Sequence, residues 1–419
     1  MKKALDQFEL FLMCTTAFMI PIHIKITSLS IALLVVVAFL KIENYRAFVK
    51  LLSDFRFYLF ISPLLVAVLG VINTNDLLEA RKQIEIVVSL LLFPFIFVSF
   101  KNNIINHKIE LMLSFFVIGV LFAYFICWAV ALPKFICTGD INELFYSSFG
   151  GIIKGPHHLS YSVLFAIVLL SFSLAGKLKL FIQKSRNITL LKIISLIALV
   201  VFLLQLSSKI TILFLILFAI VFLIYVISKK IFSMMQLLTI IISFVVLSSV
   251  LLSAPTPRAR FTNMFNVAFD FTHNNTKSQE STSLRFAAIK AGIHLIKENF
   301  WFGVGSGDMS TEMSNYYKEN DAQGAYIQHI SPHNQFIRTF AMYGIIGFVL
   351  LILIFIMMLQ QAIQNRNMLF VFWTLFMIAL FAVEDMFMIQ DGIIYFAFFS
   401  SFFLFGDELK KKQLDKEII

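Results

Sequence analysis

Long apolar runs joined by short polar links fill the chain up to about position 250 and again from about position 340. A helix that crosses the hydrocarbon core of a bilayer needs roughly 17–25 largely apolar residues. Runs of this kind predict twelve membrane spans, at approximately 8–24, 26–40, 57–73, 84–100, 111–132, 157–176, 188–207, 210–228, 232–253, 339–360, 368–384 and 389–406.

A polar segment at 253–338 separates the ninth predicted span from the tenth. Loops of this length are usually functional or disordered, but part of this one has a helical pattern. Apolar residues recur there at intervals of 3, 4, 3 and 4, the period of an amphipathic helix; they are Phe286, Ile289, Ile293, Ile296 and Phe300. We therefore expect a large, partly helical loop.

Composition supports this division of the chain. The sequence is 59% hydrophobic and 14% charged, with mean hydropathy +0.88, whereas soluble proteins have about 45–50% apolar and about 25% charged residues. The sequence thus predicts an all-α integral membrane protein with about 12 transmembrane helices. Its four parts are spans 1–9 in residues 1–252, the loop in residues 253–338, spans 10–12 in residues 339–406 and a tail in residues 407–419.

The positive charges give the predicted spans an orientation. Short cytoplasmic loops are rich in Lys and Arg, and one set of alternate links holds nineteen of these residues while the opposite short links hold six. We therefore expect both termini in the cytoplasm and the loop at 253–338 on the outer side of the membrane. Because topology accounts for most of the net charge of +10, a nucleic-acid partner loses its main support.

Most of the side chains able to carry chemistry fall on outward segments: His157, His158, Lys209, Arg258, Arg260, Arg285, His329, His333, Asp385 and Asp391. A histidine at a helix start is more often a hydrogen-bonded interface residue than a catalyst, and this interpretation is preferred for His157, His158 and His329. Lys209 differs because it falls in a very short turn between two spans. Burying a lysine in lipid costs about 2.5–3.5 kcal/mol, so Lys209 is expected to face a polar cavity.

Several motifs are missing from the sequence. It contains no D-x-D, no H-E-x-x-H and no Cys/His cluster, so neither a metal site nor another cofactor is predicted, and a metal-dependent nucleotide-sugar transferase is disfavoured. The run GVGSGDM at 303–309 lacks the spacing of a nucleotide-binding loop and predicts a tight turn. A cluster of cations beside a possible base remains, and Arg and Lys neutralise a diphosphate as a metal does.

Two motifs of the sequence resemble those of the O-antigen ligase family and its relatives, the O-antigen polymerases and O-linked oligosaccharyltransferases. One is SLRFAAIKAGIHLIKENFWFGVGSGDM, similar to the family's arginine-bearing helix that ends in a glycine turn. The other is HNQFIRTFAMYGIIGF, similar to its His-Asn start of the next span. The twelve-span plan with one large loop between spans 9 and 10 is similar as well.

The resemblance implies a GT-C-like glycosyltransferase of the bacterial inner membrane, acting at its periplasmic face without a metal. The implied donor is an undecaprenyl-diphosphate-linked glycan. His333 matches the family's general base, and Arg285 matches its loop-helix arginine that holds the diphosphate. Other residues match the family's substrate-binding positions more loosely. They are Arg260 and its neighbour Arg258, Asp385, Lys209 (in SSKITILF), and His157 and His158 (in GPHHLSYS).

Four functions remain open from the sequence. The preferred one is an O-antigen ligase, an inverting enzyme that transfers glycan to lipid A–core. Its other partners are the lipids of the surrounding membrane. The alternatives within the family are a polymerase, whose acceptor is a second lipid-linked glycan, and a protein-glycosylating relative. A polysaccharide transporter or flippase ranks lower, because transporters tend to show internal repeats and polar residues near the bilayer midplane, whereas here the polar cluster is one-sided.

Overall fold

The computed structural model describes residues 2–103, 105, 107–181, 185–228, 249, 254–259, 262 and 281–406. Throughout this part of the chain the regular structure is helical and contains no strand, which confirms the all-α prediction there. The ninth predicted span lies almost wholly outside the described residues, as does the predicted tail.

Helices coincide with the apolar runs wherever both are described. The first eleven are α1 (Lys2–Met19), α2 (Ile24–Leu40), α3 (Tyr45–Leu52), α4 (Phe55–Leu69), α5 (Leu77–Val87), α6 (Ser89–Lys101), α7 (Lys108–Thr138), α8 (Tyr146–Gly150), α9 (Pro156–Leu174), α10 (Arg186–Leu206) and α11 (Lys209–Ser228). Six follow: α12 (Ser281–Glu298), α13 (Met309–Glu319), α14 (Gln323–Ile327), α15 (Gln335–Gln364), α16 (Met368–Val383) and α17 (Gln390–Ser401), extended by a π-helical turn at Phe402–Gly406.

Several of these helices can cross a membrane. Within the described residues, five stretches are long and apolar enough: Leu77–Lys101, Lys108–Thr138, Pro156–Leu174, Arg186–Leu206 and Gln335–Gln364. The pair Ile24–Leu40 and Ile42–Leu52, bent by 83°, makes a sixth if it is one span. Shorter apolar helices cover Phe55–Leu69, Lys209–Ile224, Met368–Val383 and Gln390–Gly406. The chain is thus a multi-pass membrane protein, and the number twelve stays a prediction.

The chain divides into two compact units. The first comprises Met1–Leu5, Leu34–Asn103 and Phe271–Ile419, and the second comprises Asp6–Leu33 and Ile104–Asp270. The second is built around α9, whose residues are mostly buried. Aromatic side chains join its helices, with Tyr124 stacked on Phe202 at 4.5 Å and Phe116 against Phe165 at 6.0 Å between ring centroids.

The first unit is organised around α15, which packs against α4, α12 and α16. Helix α12 shows that this segment is partly helical, but most of its apolar stripe is not the face that packs in the core. The side chains that enter the core are Leu284, Ala288, Ala291 and Leu295, whereas Phe286, Ile293 and Phe300 are 41–42% exposed. Two leucines and two alanines of α12 thus face the core that this helix shares with α15, while Phe286, Ile293 and Phe300 point away from it.

Candidate active site

The helix that follows the loop is broken. The sequence predicts an uninterrupted tenth span, whereas α15 leaves the helical conformation at Gly344, where φ is 63° and ψ is −163°. The break frees backbone groups that segment 300–305 satisfies: the N–H groups of Val304 and Gly305 donate to the carbonyls of Ala341 and Met342, each at 2.9 Å. The N–H of Ile345 donates to the carbonyl of Phe300, also at 2.9 Å.

The glycine run after α12 forms the predicted tight turn. Gly303 and Gly305 have φ values of +70° and +94°, a region that side chains disfavour. The carboxylate of Asp308 accepts hydrogen bonds from the backbone N–H groups of Asn75 and Asp76, both at 2.8 Å. The turn therefore ties the end of α12 to the break in α15 and to the segment between α4 and α5.

We expect Gly344→Ala to lower the melting temperature of the purified protein, because the alanine Cβ would lie 2.2 Å from the carbonyl oxygen of Trp301. Backbone strain at such a conformation alone costs on the order of 1–3 kcal/mol. Gly139→Ala is the matched control, since Gly139 also has positive φ (+69°) but its added Cβ would meet nothing within 4 Å. Thermal unfolding in detergent measures both variants, and equal losses would contradict a role for the close contact.

Asn334 caps the start of α15. Its side-chain oxygen accepts a hydrogen bond from the N–H of Ile337 at 3.0 Å, so Asn334, and not its neighbour His333, caps this helix. His333 precedes the cap with φ +46°. The buried carboxylate of Asp385 holds this turn by accepting hydrogen bonds from the backbone N–H groups of His333 (3.2 Å) and Asn334 (2.8 Å). These contacts favour a positioning role for Asp385 over the predicted role in substrate binding.

The imidazole of His333 faces a carboxylate on the segment after α16. Nδ1 of His333 lies 3.4 Å from Oε2 of Glu384, at the long end of hydrogen-bond distances. The other oxygen of this carboxylate, Oε1, lies 3.9 Å from a terminal nitrogen of Arg285. The Glu384 side chain is 13% exposed, against 33% for His333 and 45% for Arg285. A nearly buried acid thus sits between a histidine and an arginine that both reach solvent.

A hydroxyl group on α13 supports the segment before His333. Tyr317 donates a hydrogen bond to the carbonyl of Ile330 at 2.7 Å. Burial, and then the negative charge of Asp385, raise the pKa of Tyr317 well above its ordinary value. The phenol therefore stays protonated and remains a donor throughout the physiological range.

The arrangement can hold and move a proton. If Nδ1 of His333 carries the proton that faces Glu384, the lone pair of Nε2 is left to accept another, as in other carboxylate-oriented histidines. Within the described residues, Nε2 of His333 has no hydrogen-bond partner. The described residues also contain no group of three or more His, Cys, Asp or Glu side chains that could hold a metal ion.

Glu384 was missed by the sequence reasoning, which selected its neighbour Asp385. The signal was present, since the two acids stand side by side where α16 ends, in the run FAVEDMF. A sequence cannot tell which of two adjacent carboxylates turns toward the backbone and which toward the imidazole.

Four further predicted site residues lie in the second unit: His157, His158, Lys209 and Arg258. Arg260 lies outside the described residues. His157 contacts the hydroxyl of Tyr146 through Nε2 at 3.3 Å, and the ring of His158 packs on Tyr161 with centroids 5.6 Å apart. These contacts favour the structural interpretation of both histidines.

Lys209 is the first residue of α11, so the turn between α10 and α11 consists of Ser207 and Ser208 alone. The predicted position within that turn is wrong by one residue, and the side chain is half-buried. Arg258 is exposed. Their roles in binding substrate stay predictions.

One family model, described as O-antigen ligase, matches residues 193–352. No curated protein matches the chain. The matched segment covers less than half of the chain but includes Lys209, Arg285 and His333; it ends before Glu384. It supports a membrane glycosyltransferase of the O-antigen ligase or polymerase type. The resemblance to the O-antigen ligase family is thereby confirmed over residues 193–352.

Proposed function

We propose that this protein is an O-antigen ligase, a metal-independent glycosyltransferase that moves glycan from undecaprenyl diphosphate to lipid A–core. The observation that carries the proposal is the position of the His333 imidazole, half-buried at the start of an apolar helix with Nδ1 toward Glu384. A lipid-linked donor keeps its polyprenyl chain in the bilayer and its diphosphate at the surface. Residues that act on its glycan must therefore lie where a membrane helix begins.

In the proposed reaction, Nε2 of His333 takes the proton of the acceptor hydroxyl. The acceptor oxygen then forms a bond to the anomeric carbon while the bond from that carbon to the phosphate oxygen breaks. Undecaprenyl diphosphate leaves with the bonding electrons, and direct displacement inverts the anomeric configuration. Glu384 orients the imidazole and stabilises its protonated form.

Cations stabilise the departing diphosphate in this proposal. Arg285 has a terminal nitrogen near Glu384 and a side chain 45% exposed, so its other donors remain available to a phosphate oxygen. Lys209, Arg258 and Arg260 are proposed as further contacts with the diphosphate or glycan. A lysine keeps the charge of an arginine but not its two-pronged geometry.

The proposed location is the bacterial inner membrane, with both termini cytoplasmic and His333 on the periplasmic side. We expect Glu319→Cys on α13 to react with an impermeant maleimide in cells whose outer membrane alone is permeable. Arg366→Cys, between α15 and α16, should react only after lysis, because the charge bias places it inside. Both replaced residues are exposed. Both cysteines are introduced into the Cys137→Ser variant, because Cys137 is exposed and would itself be labelled, while Cys14 and Cys127 are buried.

Reaction of both cysteines in cells that have not been lysed would contradict the proposed orientation. Reaction of the cysteine at position 366 alone would indicate the opposite one.

The glycan profile of a deletion strain tests the function itself. A ligase predicts the loss of all long chains from lipid A–core while lipid-linked polymer accumulates. Core carrying a single repeat would indicate the polymerase instead, and intact lipopolysaccharide with unglycosylated proteins would indicate the protein-glycosylating relative. Restoration of the long chains by the wild-type gene is the control.

A further inference from the structure

Arg338 is a buried cation that the mechanism above does not use. It lies in the first turn of α15, close in sequence to His333, and is only 7% exposed. A guanidinium cannot be deprotonated in proteins, so this burial withdraws a full positive charge from water. Such withdrawal is costly unless another charge or several hydrogen bonds compensate for it.

The described residues provide no such compensation. In that part of the chain the Arg338 side chain forms neither an ion pair nor a hydrogen bond, and its buried Nε has no partner. The two acids after α16 are engaged elsewhere. Asp385 accepts the backbone N–H groups of His333 and Asn334, and Glu384 faces the side chains of His333 and Arg285.

Helix geometry gives the direction of the side chain. Side chains in an α-helix lean toward its N-terminus, and neighbours on the surface are three or four residues apart. From this geometry we expect the guanidinium of Arg338 over the turn that begins with Asn334 and Gln335, at the end of α15 that follows His333. Gln335 is itself committed, since its oxygen accepts the N–H of Phe387 at 2.7 Å.

We propose that Arg338 binds a phosphate oxygen of the polyprenyl diphosphate of the donor, deeper in the protein than Arg285. The inference rests on the proposed function, because the diphosphate is that of its donor. An arginine presents parallel N–H donors that match two phosphate oxygens, and an anion there supplies the charge that the described residues do not. Because Arg338 is close to His333 in sequence, it would also hold the departing diphosphate in place beside the base.

The test uses the full-length protein purified in detergent, with farnesyl diphosphate as the probe and farnesol as its uncharged counterpart. Affinities and melting temperatures are measured for the wild type, Arg338→Met, Arg338→Lys and the control Arg366→Met. The control removes an exposed arginine that follows the other end of α15. We expect Arg338→Met to bind farnesyl diphosphate about 10–100-fold more weakly, from the usual strength of charged hydrogen bonds. Arg338→Lys should lose less, and the control should lose nothing.

The ligand-free melting temperature separates binding from structure. Replacing an uncompensated buried charge with methionine should leave it unchanged or raise it, whereas a structural role predicts a fall. Unchanged affinity in Arg338→Met, with or without a lower melting temperature, would overturn the inference and leave the proposed function standing. Equal stabilisation by inorganic pyrophosphate would overturn the lipid-linked source. A wild type that does not bind farnesyl diphosphate would reject both the inference and the proposed donor.

Discussion

Replacing His333 with asparagine is expected to reduce glycan transfer by about 10²–10⁴-fold, the usual effect of losing a general base. Asparagine is the sharpest substitution because it tolerates positive φ, and His333 has φ +46°. The backbone N–H that Asp385 accepts is kept, so the turn before α15 should persist while the imidazole is lost. Transfer is measured in a deletion strain with the variant at wild-type protein levels.

The chain provides a matched control in His329. This histidine has nearly the same backbone conformation, with φ +47°, but it is exposed and its ring packs on Tyr326 instead of an acid. His329→Asn should retain most of the activity. If the His333 and His329 variants transfer glycan equally well, the base and the mechanism built on it are removed.

The helices could be predicted from the sequence because the bilayer fixes both their length and their apolarity. The seventh predicted span at 188–207 and the helix Arg186–Leu206 differ by at most two residues at either end. The start of α15 was predicted late, at 339, because the pattern follows apolar residues and ignores the polar first turn. That turn begins at Gln335, after the Asn334 cap.

The break in α15 could not be predicted in this way. Gly344 leaves the helix because partners for the freed backbone groups come from the turn at Gly303–Gly305, far away in sequence. The packed face of α12 could not be predicted for a related reason. The period of the pattern shows an apolar stripe on a helix, but the face that packs is decided by tertiary contacts with α15 that the pattern does not contain. The core side chains are Leu284, Ala288, Ala291 and Leu295.

Arg285→Met is expected to lower transfer by about 10²–10³-fold, the loss seen when one donor to a developing negative charge is removed. The charge on the leaving diphosphate grows as the glycosidic bond breaks, so the loss should fall mainly on kcat. Arg285→Lys should recover part of it, because a lysine supplies the charge without the paired donors. Purified variants with a lipid-diphosphate-linked glycan as donor give kcat and KM separately.

Folding should be nearly unaffected, since the Arg285 side chain is 45% exposed and surface substitutions usually change stability by about 0.5 kcal/mol or less. Lys297→Met is the control, because Lys297 is an exposed cation near the other end of α12. It removes the same charge from the same helix, away from His333. If Arg285→Met keeps as much activity as Lys297→Met, the arginine acts only through the general field of the loop. The specific contact with the leaving diphosphate would then have to be assigned to another cation.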